Sequence, residues 1–190
     1  MPSFRRLFRL LVRPVALAVV AGCSDANELP DPTNSNFVDT VTIGALEGTP
    51  ISTPSGFSIE AGRVRTDQTV QFEFAYNVRR LEDGSPQRVF VPLAALGIPL
   101  SSANPGLQRR EESFNDIRQA PSNGYVTDSA VALTQGDRFI VRSRVVCAQL
   151  GVPKYGKLEI LSFQDSTVTF QVLVNNNCGY KDLLPGLPDN

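Results

Sequence analysis

Three arginines with strand-like spacing are the first residues in this sequence whose types suggest binding chemistry. Arg138, Arg142 and Arg144 alternate with Phe139, Val141, Ser143 and Val145, so a β-strand here places the arginines on one face. Guanidinium groups bind phosphates, sugar acids and carboxylates in a forked geometry. The alternative is a solvated face that pairs with cross-strand acids such as Glu159.

The sequence contains no histidine, which excludes several common catalytic mechanisms. Without imidazole the chain has no Ser-His-Asp triad, no Cys-His dyad and no general base with an ordinary pKa near neutrality. Glu82-Asp83 and Glu111-Glu112 are candidate members of a glycosidase-like carboxylate pair, which needs two acids about 5 to 9.5 Å apart. Adjacent acids in charged segments are more often solvated. We predict no catalytic residue, no metal site and no cofactor.

The first 22 residues have the composition of a secretory signal peptide. A basic segment, Phe4–Arg9, precedes an apolar run, Val15–Ala21, that is much shorter than the roughly 20 residues needed to span a bilayer. This leader holds four of the 18 basic residues and no acid, so its removal leaves 14 basic against 19 acidic residues, a net charge of −5. An acidic domain without clustered Lys or Arg is not expected to bind nucleic acid.

The end of the leader, Val20-Ala21-Gly22-Cys23, resembles a bacterial lipobox. This resemblance implies cleavage before Cys23 and acylation of that cysteine, which would anchor the protein to a membrane. An ordinary signal peptide with a cysteine near its cleavage site is the alternative. Ser24 follows the cysteine, and by the sorting rule of such lipoproteins a residue other than Asp there implies the outer membrane. The ending, with Asn177-Cys178-Gly179-Tyr180 and Leu184–Pro188, resembles that of uncharacterised bacterial lipoproteins.

Three cysteines are an odd number for an exported protein. If Cys23 is acylated, Cys147 and Cys178 remain, and an oxidising compartment favours a disulfide between them. Two reduced, buried thiols are the alternative.

A polar segment separates Cys23 from the first strand-like pattern. Residues 24–36 contain three acids and two prolines and show no apolar periodicity, so residues 23–36 are predicted to be a lipidated cysteine with a flexible linker. Residues 37–190 are predicted to form a single β-rich domain.

Alternating apolar residues predict the strands of this domain. The clearest runs are Val70–Val78, Arg138–Val146 and the pair Lys157–Ile160 and Val168–Val174, with Gln164-Asp165-Ser166 as a hairpin turn. Weaker runs lie at 40–46, 57–65, 89–91 and 125–133, and a helical turn is expected only within 104–120. The pattern predicts an all-β fold, a two-sheet antiparallel sandwich of immunoglobulin-like or jelly-roll type.

These features together predict a lipid-anchored protein of the bacterial outer membrane whose β-sandwich binds a ligand or partner without catalysis. The expected partners are the membrane, through acylated Cys23, and an envelope protein or glycan. The alternative is an envelope hydrolase that uses carboxylates.

Overall fold

A computed structural model describes residues 29–100 and 103–188; the predicted signal peptide, residues 1–22, and Cys23 lie outside them. The described chain contains ten β-strands and one short 3₁₀ helix, Leu93–Leu96. None of its helices is long and apolar enough to cross a membrane. The strands are β1 (Phe37–Gly44), β2 (Gly56–Ser58), β3 (Gly62–Val64), β4 (Phe74–Arg80), β5 (Pro86–Pro92), β6 (Gly106–Arg110), β7 (Val131–Ala132), β8 (Arg138–Cys147), β9 (Val152–Gln164) and β10 (Thr167–Asn175).

The strands form two antiparallel sheets of five strands each, which confirms the predicted all-β sandwich. The first sheet has the order β1-β10-β9-β8-β6 and the second the order β3-β2-β4-β5-β7. The predicted hairpin joins β9 to β10, with Thr167 paired to Gln164 and Asp165 in the left-handed region at φ 48°. Asp tolerates this conformation better than most residues.

Period-2 alternation buries one face of each sheet against the other. The second sheet contributes mainly aromatic rings to the core between the sheets. The ring centres of Phe74 and Phe90 lie 4.2 Å apart, and both rings contact Phe170 of the first sheet. The shared core also includes Val41, Ile43, Phe57, Tyr76, Leu107, Phe139, Val141, Leu158, Ile160, Val168 and Val172.

The predicted helical turn within 104–120 is wrong for its first part, because Gly106–Arg110 is a strand. β6 pairs with β8 from Gly106↔Arg142 to Arg110↔Arg138 and forms an edge of the first sheet. Phe114 and Ile117, in the second part of this range, cover the outer face of that sheet.

The run at 70–78, which was predicted to be one strand, is a strand only in its second part. β4 begins only at Phe74, and Phe72 packs with Ala75 and Leu93 on the outer face of the second sheet. Leu96, Ile98 and Leu100 complete this outer cluster. Glu73 and Asn77, which alternate with the apolar residues of this run, are also buried: Glu73 accepts the Ile59 amide and Arg144, and Asn77 accepts the Glu47 amide.

The predicted flexible linker does not extend to residue 36, because the described part of it is bound to the domain. The amides of Thr33 and Asn34 donate to Asn177 Oδ1 at 2.9 and 3.0 Å, and Asn177 Nδ2 donates to Asn34 O at 2.7 Å. Asn36 exchanges two backbone hydrogen bonds with Gly186. We call residues 29–36 the strap. The strap has the polar, proline-containing composition of a linker, but its backbone groups form hydrogen bonds with the domain.

The disulfide between Cys147 and Cys178 is present, with the two Cα atoms 5.9 Å apart. It joins the end of β8 to the loop after β10. Closing a loop of this length removes conformational entropy from the unfolded chain, which corresponds to about 3 to 4 kcal/mol. The disulfide therefore fixes the loop that holds the strap.

A buried lysine fastens the segment that covers the first sheet. Lys157 Nζ donates to Phe114 O at 2.7 Å and to Ile117 O at 2.8 Å, and it lies 4.6 Å from the centre of the Phe114 ring. Burial lowers the pKa of Lys157 from 10.5 to about 8, although Asp182 and Asp116 oppose the shift. A neutral amine has two N–H donors, which match the two carbonyl acceptors.

We expect the free energy of unfolding of the wild type, relative to a Lys157→Met variant, to rise between about pH 8 and pH 10.5. In this interval the unfolded lysine keeps the proton that the folded lysine has released, so raising the pH favours the folded state, by on the order of 1 to 3 kcal/mol. Urea unfolding at a series of pH values measures the difference. Parallel pH profiles for the two proteins would contradict it.

Candidate functional site

Two cavities open at the end of the sandwich where β1 begins and β8 and β10 end. The larger, about 430 Å³, lies between the strap and residues 146–150, and both disulfide cysteines line it. The smaller, about 180 Å³, lies between the edges of the two sheets. We call these the strap cavity and the cleft. Asn176 lines both, so the two cavities lie on either side of one short loop.

The cleft is formed by core-facing residues that the opposite sheet does not cover. Along β1, Val41 and Ile43 are buried in the core, whereas Phe37 on the same face is 66% exposed. Val41, Phe57, Ile59, Val172 and Val174 form the apolar lining, and Asp39, Ser58, Glu60 and Asn176 contribute polar groups. This combination of an apolar lining and a few polar groups is typical of a binding site.

A network of four charged residues adjoins the cleft at Glu60. Arg144 Nη2 donates to Glu60 Oε2 at 3.1 Å, and Arg144 Nη1 donates to Glu73 Oε1 at 3.0 Å. Lys154 Nζ lies 3.4 Å from Glu60 Oε1. Glu60 is therefore contacted by two cations, and Arg144 joins a residue from the β2–β3 turn to one that precedes β4.

Glu73 is the deeply buried member of this network. Its Oε2 atom accepts the Ile59 amide at 2.6 Å, and its Oε1 atom accepts Arg144. Burial raises the pKa of Glu73 from 4.5 to about 7, which exceeds the lowering by the Ile59 amide and Arg144. Because the side chain is buried and both oxygens are already bonded, Glu73 stabilises the turn at Ile59 and does not reach the cleft.

The three predicted anion-binding arginines do not share one face. Arg138 pairs with Glu159 at 3.1 Å, which is the alternative that the sequence offered. Arg142 donates to the backbone oxygen of Asn104 and lies over the ring of Tyr125, both in segments beside the first sheet. The expectation of a common face is wrong for Arg144, because the register of β8 against β9 shifts between Arg142 and Val145. This β-bulge directs Arg144 toward the second sheet.

Asp39 is the cleft residue that sequence reasoning missed. Its Oδ1 atom accepts the amide of Thr40 at 2.7 Å, and it takes part in none of the ion pairs found within residues 29–100 and 103–188. Asp39 lies in the same alternating row as Phe37, Val41 and Ile43. The sequence could have indicated Asp39, because it is an acid at a position where alternation predicts a core-facing apolar residue.

No metal centre is formed by the described residues, since no three of their His, Cys, Asp or Glu side chains cluster suitably. Comparisons of the chain with protein-family models, curated proteins and solved structures found no match.

We expect a Glu73→Gln substitution to remove a pH dependence of stability. Between pH 4.5 and about 7 the folded state keeps a proton on Glu73 that the unfolded state has lost, so the wild type loses stability as the pH rises. Relative to Glu73→Gln, this loss is on the order of 1 to 3 kcal/mol. Thermal unfolding from pH 4 to 8 measures it, with Glu82→Gln, an exposed acid, as the control. If the Gln variant retained the wild-type pH profile, the account of Glu73 would be wrong.

Proposed function

We propose that this chain is a lipid-anchored protein of the bacterial outer membrane that binds a partner in the cleft without catalysing a reaction. The lipobox-like sequence ending at Cys23 supports the anchor. The observation that carries the proposal is the bound strap, because its hydrogen bonds to Asn177 connect the chain after Cys23 directly to the end of the sandwich that holds the cleft.

Covalent geometry limits how far the domain can extend from the anchor. Residues 24–28 are the five that separate Cys23 from the strap, and five extended residues span at most about 18 Å. A fully flexible linker up to residue 36 would allow a longer reach. With Cys23 acylated, the bound strap would therefore hold the cleft end of the domain within about 18 Å of the anchoring residue.

The exposed apolar surface at this end supports partner binding. Phe37, which lines the cleft, is 66% exposed, whereas Val38, which is 45% exposed, lies on the opposite face of β1. Apolar exposure beside a cavity is more characteristic of an interaction site than isolated surface residues are. An envelope protein or a glycan is the class of partner that the proposed location supplies.

The alternative remains a carboxylate hydrolase, and one observation favours it: Asp39 and Glu60 both line the cleft. Two acids across a cleft are the machinery of glycoside hydrolysis. Against it, Arg144 and Lys154 already contact the Glu60 carboxylate. Hydrolysis of chromogenic aryl glycosides by the wild type, lost in both Asp39→Asn and Glu60→Gln, would establish the hydrolase.

We expect a Cys23→Ala substitution to release the protein from the membrane fraction of an expressing cell. The wild type should appear in the outer-membrane fraction with a mass that begins at Cys23 and includes acyl chains, because several chains together give stable anchoring. Ser24→Ala, which keeps the cysteine, is the matched control for membrane attachment. Density-gradient fractionation and intact-mass measurement test this. An unacylated wild type in the soluble fraction would overturn the anchor.

A further inference from the structure

β1 is an edge strand of the first sheet. The residues whose backbone groups point to its free side can be identified from its hydrogen bonds. In an antiparallel strand, successive residues direct their backbone groups to opposite sides. Asn36 bonds to Gly186 and the Gly44 amide donates to Pro54 O at 2.9 Å, and both partners lie on the side away from β10. The backbone groups of the intervening even-numbered residues, Val38, Thr40 and Thr42, therefore point to the same free side.

This free edge is closed at its two ends and open between them. Gly186 covers the beginning of β1 and Pro54 covers the end. Between them, the Thr40 amide is capped by the carboxylate of Asp39, and the described residues supply no hydrogen-bond partner on this side for the backbone of Val38 or Thr42. The backbone groups of Val38 and Thr42 are therefore open to an added strand, which would displace the Asp39 carboxylate to bond to the Thr40 amide.

The cleft continues this open edge. A strand added beside β1 would direct alternate side chains toward β2 and β3 of the second sheet, which form the other wall of the cleft. Phe57, Ile59 and Gly62 line the cavity from the side of the second sheet. The cavity of about 180 Å³ is thus placed to receive an apolar side chain of the added strand.

Charge favours a basic side chain beside the apolar one. Glu60 is contacted by Arg144 and Lys154, whereas Asp39 takes part in none of the ion pairs found among the described residues. Asp39 and Phe37 are two residues apart on the same face, so an added strand meets them with side chains two residues apart as well. A second copy of β1 would bring another Asp39 and no cation, which disfavours self-pairing.

We propose that the cleft binds an extended segment of a partner protein that adds a strand to the edge of β1 at Val38–Thr42. The segment places an apolar side chain in the cleft and a Lys or Arg, two residues away, beside Asp39. Backbone hydrogen bonds supply affinity in such strand addition, and the side-chain positions supply specificity. This inference rests on the cleft of the proposed function and names its partner class, but it does not depend on the lipid anchor.

The test uses the chain from residue 23 with alanine in place of Cys23, because both sheets lie wholly within the residues that follow. The probe is the capped heptapeptide Thr-Val-Thr-Lys-Thr-Val-Thr, whose alternate positions present Val, Lys and Val on one face. We expect it to shift the amide resonances of Val38, Thr40 and Thr42 saturably in two-dimensional NMR spectra. The same peptide with Glu in place of Lys should bind about tenfold more weakly.

Two matched variants separate the contributions of charge and backbone. Asp39→Asn keeps the oxygen that caps Thr40 but removes the charge, so it should abolish the preference for the Lys peptide over the Glu peptide. Asp128→Asn, at another exposed acid, should leave that preference unchanged. A Lys peptide that is N-methylated at every residue cannot donate backbone hydrogen bonds to β1 from either edge and should produce no saturable shift.

Three results would overturn the proposal. The first is an absence of peptide-induced shifts in β1, or shifts confined to the strap cavity. The second is binding of the same protein to phosphatidylethanolamine–phosphatidylglycerol vesicles that Phe37→Ser abolishes, without peptide binding; this would make the surface a lipid contact. The third is a concentration-dependent dimer in sedimentation that shifts the β1 amides, which would make the occupant a second copy. Because this protein lacks Cys23, none of these results bears on membrane anchoring.

Discussion

The amide of Asn177 holds the strap to the domain, and the position of the N-terminal end depends on it. Its oxygen accepts two strap amides, and its nitrogen donates to Asn34 O and to Asn175 Oδ1. The side chain is buried, so losing it would leave these groups without partners at a cost of about 1 to 3 kcal/mol each. Cys178 follows Asn177 directly, and its disulfide to Cys147 fixes the loop to β8. One residue and one covalent bond thus join three parts of the chain.

The same end of the sandwich stays open because its two sheets do not cover each other completely. The core closes around Val41 and Ile43, but the row continues outward to Asp39 and Phe37. Arg144, redirected by the bulge in β8, links Glu60 to Glu73 beside this opening. The wall that carries Glu60 is therefore held by ion pairs. A free strand edge and a pocket for alternate side chains beside it are the two features that strand addition uses.

The sequence was sufficient to predict the elements whose apolar residues alternate over many positions. β8, β9, β10 and the turn at Asp165 follow from alternation and turn composition, and an even pair of remaining cysteines predicts the disulfide. Alternation misassigned Phe72 because the segment that covers the outer face of the second sheet, residues 93–100, is not part of the β4 pattern. It misassigned Glu73 because Arg144, which binds it, comes from the first sheet. Gly106–Arg110 forms a strand because it pairs with the edge of β8 that β9 leaves free.

The candidate site was less accessible to sequence reasoning than the fold. A β-bulge changes the direction in which one side chain points. The prediction that Arg138 and Arg144 share a face was therefore wrong because of a single irregularity in the register of β8. The strap has the composition of a linker, and its order comes from Asn177, which is more than 140 residues away. Contacts of this kind depend on where the chain returns in space, which local composition does not encode.

Hydrogen exchange of the Thr33 and Asn34 amides is the most direct test, because the proposed closeness of the cleft to an acylated Cys23 depends on the bound strap. NMR-detected exchange should be compared in the wild type, in Asn177→Ala and in Asn176→Ala, the neighbouring asparagine that makes no such bonds to the strap. The account predicts protected Thr33 and Asn34 amides in the wild type and in Asn176→Ala, and loss of that protection in Asn177→Ala while the core strands remain protected. Wild-type amides that exchange as fast as those of an unstructured peptide would contradict it.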